Sequence, residues 1–157
     1  MTIGRGTITY TCADQPDHGP PVYVQQKANL YDASLLIPKF TSELQFHSYI
    51  PSFLRYDYTS LDNSSLTCIG DIQTVENLLL FNIFNVDAFP ATVAQTINAP
   101  NDQDFNAEWS HLQDEEHRWD IYRVEAAGGQ PPYNCGADII NNEFPVEYVA
   151  EYWFYRS

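Results

Sequence analysis

The chain has 157 residues, 44% hydrophobic and 18% charged, and carries a formal charge of −14 from seven Lys+Arg against 21 Asp+Glu. That length fits one domain, residues 1–157, which buries roughly 68–70% of its unfolded surface and needs no metal to hold a core. The basic residues are scattered, so no patch is expected to bind nucleic acid or an anionic membrane surface, and no run of 18 apolar residues predicts a membrane span.

Met1 to Arg5 lacks the apolar stretch of a signal peptide. Two locations follow: a secreted protein whose leader has been removed, or a cytoplasmic one. Thr7 to Cys12, rich in β-branched residues, reads as a first strand. The loop Ala13 to Pro21 carries three prolines, and Pro21 to Gln25 reads as a second strand. Within that loop, Asp14 or Asp17 beside His18 has the makings of a general base, though no strained nucleophile accompanies it. Leu44 to Ile50 alternates, with Leu44, Phe46, Ser48 and Ile50 on one face, and is read as a strand ended by Pro51. Asn63-Ser64-Ser65 is a glycosylation sequon that matters only in a secreted chain. Leu78 to Phe84 is nearly all apolar and reads as a strand buried on both faces. Thr92 to Asn98 is a further strand.

Residues 100–118 read as a long acidic loop with a single helical turn at most, the helical alternative being Phe105 to Trp119 capped by Asp104. In that helix His111 and Glu115 would lie one turn apart, with His117 in reach, which is the one arrangement here that could hold a cation. Trp119 to Ala126 is another strand. Gly128-Gly129, followed by Pro131-Pro132 with no lysine and no helix pattern, reads as a wide turn rather than a phosphate loop. The last segment is a strand with Val146, Tyr148, Ala150, Tyr152 and Phe154 on its core face and Glu147, Val149, Glu151, Trp153 and Tyr155 on a mixed face. Glu147 and Glu151 are spaced as glycosidase carboxylates can be, a weak pattern in an acidic chain. Strand-like runs separated by Pro, Gly, Asn and Asp predict an all-β fold: an antiparallel sandwich or barrel of roughly 8–10 short strands with long loops and at most short helices. Of the three cysteines, Cys12 and Cys135 would tie the two ends of the chain together if bridged, and Cys68 would be left over. No C-x-x-C spacing points to zinc.

The stretches GRGTITYTC (4–12), LYDASLL (30–36), FNAEW (105–109), IYRVEAAGGQPPYNC (121–135) and VEYVAEYWFY (146–155) run in order along the chain. Through them the chain resembles a family of fungal and bacterial proteins, mostly secreted, classed only as a domain of unknown function. Some members carry the label malate dehydrogenase, for which this sequence offers no support. The resemblance implies a compact β-rich fold and a disulfide between Cys12 and Cys135. It implies no activity. Relatives often show a Gly-x-His-aromatic element where this chain has Gly70-Asp71-Ile72, so a site built on that histidine is absent here.

With 23 aromatics, a β scaffold, Asp and Asn in the loops, and neither a convincing nucleophile nor a cofactor motif, the leading expectation is a non-enzymatic binding protein. Carbohydrate is the first ligand class, and Trp109, His111, Asp104, Tyr133 and Trp153 are the candidate binding residues. Such a lectin-like protein is expected to be a homo-oligomer and to need no cofactor or metal, His111, Glu115 and His117 being the only weak ligand set. Two alternatives stand beside it. One is a small hydrolase or isomerase with a His/carboxylate site in a barrel pocket, recognised by a perturbed pKa there. The other is a carrier for apolar small molecules.

Overall fold

A computed structural model describes residues 1–13, 19–56, 64–136 and 143–157, with side chains omitted for Ile50 and residues 52–56. The Asp14–His18 group and Asn63 of the sequon lie outside the described residues. Eight strands close into an up-and-down antiparallel barrel in which every strand pairs with its neighbour in sequence and the last returns to the first. They are β1 (Thr2–Thr11), β2 (Val22–Asp32), β3 (Cys68–Val75), β4 (Leu78–Ile83), β5 (Asp87–Ile97), β6 (Trp109–Asp114), β7 (Trp119–Gly128) and β8 (Glu143–Arg156). Among the described residues one α-helix, α1 (Glu43–Tyr56), interrupts them. Closure leaves no sheet edge to aggregate, and of the two expected architectures the barrel is the one formed.

The barrel differs at its two ends. At the end that holds the β4–β5 and β6–β7 turns, aromatic rings fill the interior. Phe81 stacks on Phe89 at 5.8 Å, Phe89 stacks on Trp119 at 5.4 Å, and Phe154 meets Phe81 edge-on. Trp119 Nε1 donates to Asp87 at 3.0 Å, which satisfies the one polar atom of that plug. Toward the other end the interior residues shrink to Ala28, Ala91, Ala107 and Ile8, and the packed core gives way to a cavity. Gly4 makes the crossing possible. A Cβ there would lie 2.4 Å from the Tyr152 ring, so only glycine lets that tyrosine cross the barrel.

Four expectations are corrected. Leu44 to Ile50 is not a strand but lies in α1. The Ser42 hydroxyl accepts the Gln45 N–H, and the Gln45 side chain reaches back to the Thr41 N–H, which satisfies the orphan donors of a first helical turn. Pro51 lies inside this helix instead of ending a strand. Phe46, fully buried, packs the helix onto Ile3, Tyr31 and Val149 on the outside of the barrel. Residues 109–114 are strand β6, not loop or helix: Ser110, Leu112 and Asp114 point inward and are buried, and Trp109, His111 and Gln113 point outward. The inward Ser110 and Asp114 hide the alternation. Asp114 is buried because it accepts the Trp119 N–H across the β6–β7 turn at 2.8 Å. In β4 only Phe81 is fully buried, so that strand is not buried on both faces. Finally, Gly128, at φ 83°, ends β7, Gly129, at φ 90°, bridges to Asn106, and the loop toward β8 begins after them.

Candidate functional site

The open end of the barrel is ringed by the ends of β1, β3, β5 and β7 and the starts of β2, β4, β6 and β8. Its cavity has a volume of about 480 Å³. The walls are apolar, with Ile8, Leu79, Ala91, Val93 and Leu112. Below them lies a connected polar layer. The Gln26 amide donates to the hydroxyls of Tyr148 and Tyr152 at 2.6 and 2.9 Å, and those hydroxyls sit 2.8 Å apart. Arg123 Nη1 donates to Gln26 Oε1 at 3.2 Å, and Nη2 donates to the Glu108 carbonyl at 2.9 Å. Tyr10 closes the side by donating to the Gly129 carbonyl at 2.8 Å.

Register places these groups together. Arg123 lies opposite Ser110 on one side and Tyr152 on the other. Tyr148 and Tyr152 are four residues apart on one strand and therefore share its inner face. Burial pushes the Tyr10 hydroxyl up to about 12, with the nearby Arg123 charge pulling the other way. The Tyr148 and Tyr152 hydroxyls are also raised, again chiefly by burial and against the pull of Arg123. All three stay protonated at neutral pH. They act as hydrogen-bonding groups, and none neutralises the guanidinium.

Three of the expected binding residues meet elsewhere, on the outer surface of β6, β7 and β8. The His111 ring stacks on Tyr122 at 4.6 Å and 6°, and its Nε2 lies 2.7 Å from Asp120. Asp120 also accepts from Gln113 Nε2 at 2.9 Å, and His111 heads the contacts that hold its carboxyl below the ordinary range. Tyr122, Trp153, Tyr155 and Asp120 line an open hollow, and Trp109 lines a smaller one beside it with His111 and Tyr122. Asp104 and Tyr133 are exposed on loops and line neither hollow nor the barrel mouth. The helical cation site does not exist: His111 is in β6, Glu115 and His117 fall in the turn after it, and among the described residues no cluster of three ligating side chains can hold a metal ion. The Glu147–Glu151 carboxylate pair is not assembled either. Glu151 is fully buried under α1, 2.7 Å from His47 Nδ1, with Trp153 Nε1 donating to it at 3.1 Å, whereas Glu147 is exposed.

The groups at the barrel mouth that sequence reasoning passed over are Gln26, Arg123 and Tyr10. The signal was present at one of them. Trp119, Ile121 and Arg123 alternate along β7, so a charge falls on an otherwise apolar inner face. A family model described as "Protein of unknown function (DUF3455)" matches residues 1–156. Neither the curated proteins nor the solved structures contain a match.

Proposed function

We propose a function from geometry for this chain, which belongs to the DUF3455 family of proteins of unknown function: it is a ligand-binding barrel that takes a small organic molecule into its open mouth. The single observation behind this reading is the asymmetry of the barrel interior, plugged by rings at one end and hollow, apolar-walled and polar-floored at the other. Ligand sites of small closed barrels have this form, an apolar cavity with a few fixed polar groups. The floor supports binding rather than proton transfer, since its tyrosines hold their protons at neutral pH. The Cys12–Cys135 bridge supports an oxidising compartment, as for a secreted protein.

The neutral fluorescent probe N-phenyl-1-naphthylamine tests the reading. Saturable binding at one site per chain is expected. Val93→Trp is expected to weaken it at least about tenfold by filling the mouth, a loss of roughly 1.4 kcal/mol. Val93 lines the cavity yet is half exposed, so the fold tolerates the larger ring. No saturable binding, or binding indifferent to Val93→Trp, would rule the mouth out as the site.

Carbohydrate binding is the second reading, and its place is the outer hollow. The convergence of Trp153, Tyr122, Tyr155 and Asp120 there supports it, because flat rings beside a carboxylate suit the apolar face and hydroxyls of a sugar. On a glycan array the wild-type protein is expected to retain one sugar class and Tyr122→Ala to lose it. An array blank for both counts against sugar binding.

A further inference from the structure

Resting on the reading of the barrel mouth as a ligand site, we infer that its ligand carries an anionic head, a carboxylate or a similar small oxyanion, which docks on Arg123 while an apolar body lies along Ile8, Leu79, Val93 and Leu112.

A cation on the inner face of a barrel strand is unusual because leaving water costs a charge far more than a neutral group unless it is paired. Arg123 lacks such a pair. Among the described residues its guanidinium forms no ion pair, although the chain has 21 acidic side chains to supply one. Arg118, by contrast, sits among Asp87, Asp114 and Glu116, with its nearest oxygen 2.8 Å away. The hydrogen bonds that Arg123 Nη1 and Nη2 make go to the neutral amide oxygen of Gln26 and to a backbone carbonyl. Its Nε is buried with no partner. The side chain therefore has its position fixed by neutral acceptors and its charge left uncompensated, at the edge of a cavity wide enough for an organic molecule.

The surroundings agree. The Tyr10, Tyr148 and Tyr152 hydroxyls beside Arg123 remain neutral, so a bound anion meets one positive charge and no fixed negative charge from the tyrosines. The one carboxylate lining the cavity is Glu108, an exposed residue whose side chain makes no ion pair with Arg123. A guanidinium held in this way favours a carboxylate through charge-assisted hydrogen bonds, which are stronger than those to a neutral amide of the same shape.

Matched ligands separate this inference from the reading it rests on. The probes are 2-naphthoate and its neutral isostere 2-naphthamide, each displacing N-phenyl-1-naphthylamine from the wild-type protein at pH 7. Naphthoate is expected to displace the reporter at a concentration at least about tenfold lower, the preference of one charge-assisted contact. Arg123→Gln is expected to abolish that preference, naphthoate and naphthamide then displacing the reporter at similar concentrations. Glu108→Gln, at the exposed rim, is expected to strengthen naphthoate alone, and it keeps the inference testable if Arg123→Gln does not fold. Equal displacement by the two ligands, with the reporter still bound, overturns the anionic head and leaves the ligand site standing. A reporter that never binds overturns the ligand site itself.

Discussion

Replacing His47 with alanine is expected to lower the free energy of unfolding by about 3–5 kcal/mol, the cost of stranding one partner of a buried hydrogen-bonded pair. Glu151 is fully inaccessible to solvent, and both of its oxygens lie within 2.8 Å of His47 Nδ1. Its other donor is the Trp153 indole at 3.1 Å. Among the described residues, this small network and Phe46 in its apolar pocket both anchor α1. Alanine at position 47 removes a donor that the buried carboxylate cannot replace from water. Urea denaturation of the variant, followed by far-UV circular dichroism, measures the loss. The double variant His47→Ala/Glu151→Leu separates the pair from simple packing: with no carboxylate left to satisfy, it is expected to recover most of the stability. A double variant no better than the single one would place the loss in the helix packing.

The network also shows what the sequence could and could not convey. The barrel's outline was legible because six of its eight strands carry ordinary strand signals, such as Thr7 to Cys12 and the terminal aromatic run with its two faces, whereas β3 and β6 were not legible as strands. The helix was not, because Leu44, Phe46, Ser48 and Ile50 happen to alternate with period 2, and the competing signal was a cap, Ser42 with Gln45 three residues on. His47 and Glu151 are 104 residues apart, and local pattern gives no reason to join them. The second face of β8 is mixed in sequence for a physical reason: Val149 and Glu151 lie beneath α1 and are buried, while Tyr155 further along the same face is exposed. The site follows the same logic. Trp109, His111 and Trp153, named as binding candidates, lie on the outer surface of β6 to β8, where residues on alternate positions of adjacent strands share a face. The barrel mouth stayed hidden because its polar floor is assembled from Gln26 on β2, Arg123 on β7 and Tyr148 and Tyr152 on β8, residues far apart in sequence that no local pattern joins.

Loss of the Cys12–Cys135 bridge is expected to be the other large effect. The pairing implied by the family resemblance is present, with both cysteines buried and a sequence separation of 123. Closing a loop of that length removes conformational freedom from the unfolded chain, worth roughly 4–5 kcal/mol in the chain-entropy account. For a chain of this size that corresponds to a fall in melting temperature of roughly 8–20 °C. The bridge joins the residue just after β1 to the loop between β7 and β8, and the Cys135 N–H donates to the Gly19 carbonyl at 2.9 Å, so it also ties the β1–β2 connection to the rim of the open end. The closed end is held by stacked rings and needs no covalent tie. The open end has a cavity where a core would be, and there a cross-link compensates for absent packing. Cys12→Ser/Cys135→Ser is therefore expected to melt at lower temperature and also to bind N-phenyl-1-naphthylamine more weakly below its melting point. Calorimetry and probe titration on the same preparation measure both. Thiol counting gives the control: the exposed Cys68 alone is expected to react in the native protein without reductant. An unchanged melting temperature in the double serine variant would show that the barrel closes without the bridge, and unchanged probe binding would show that the open end keeps its shape without it.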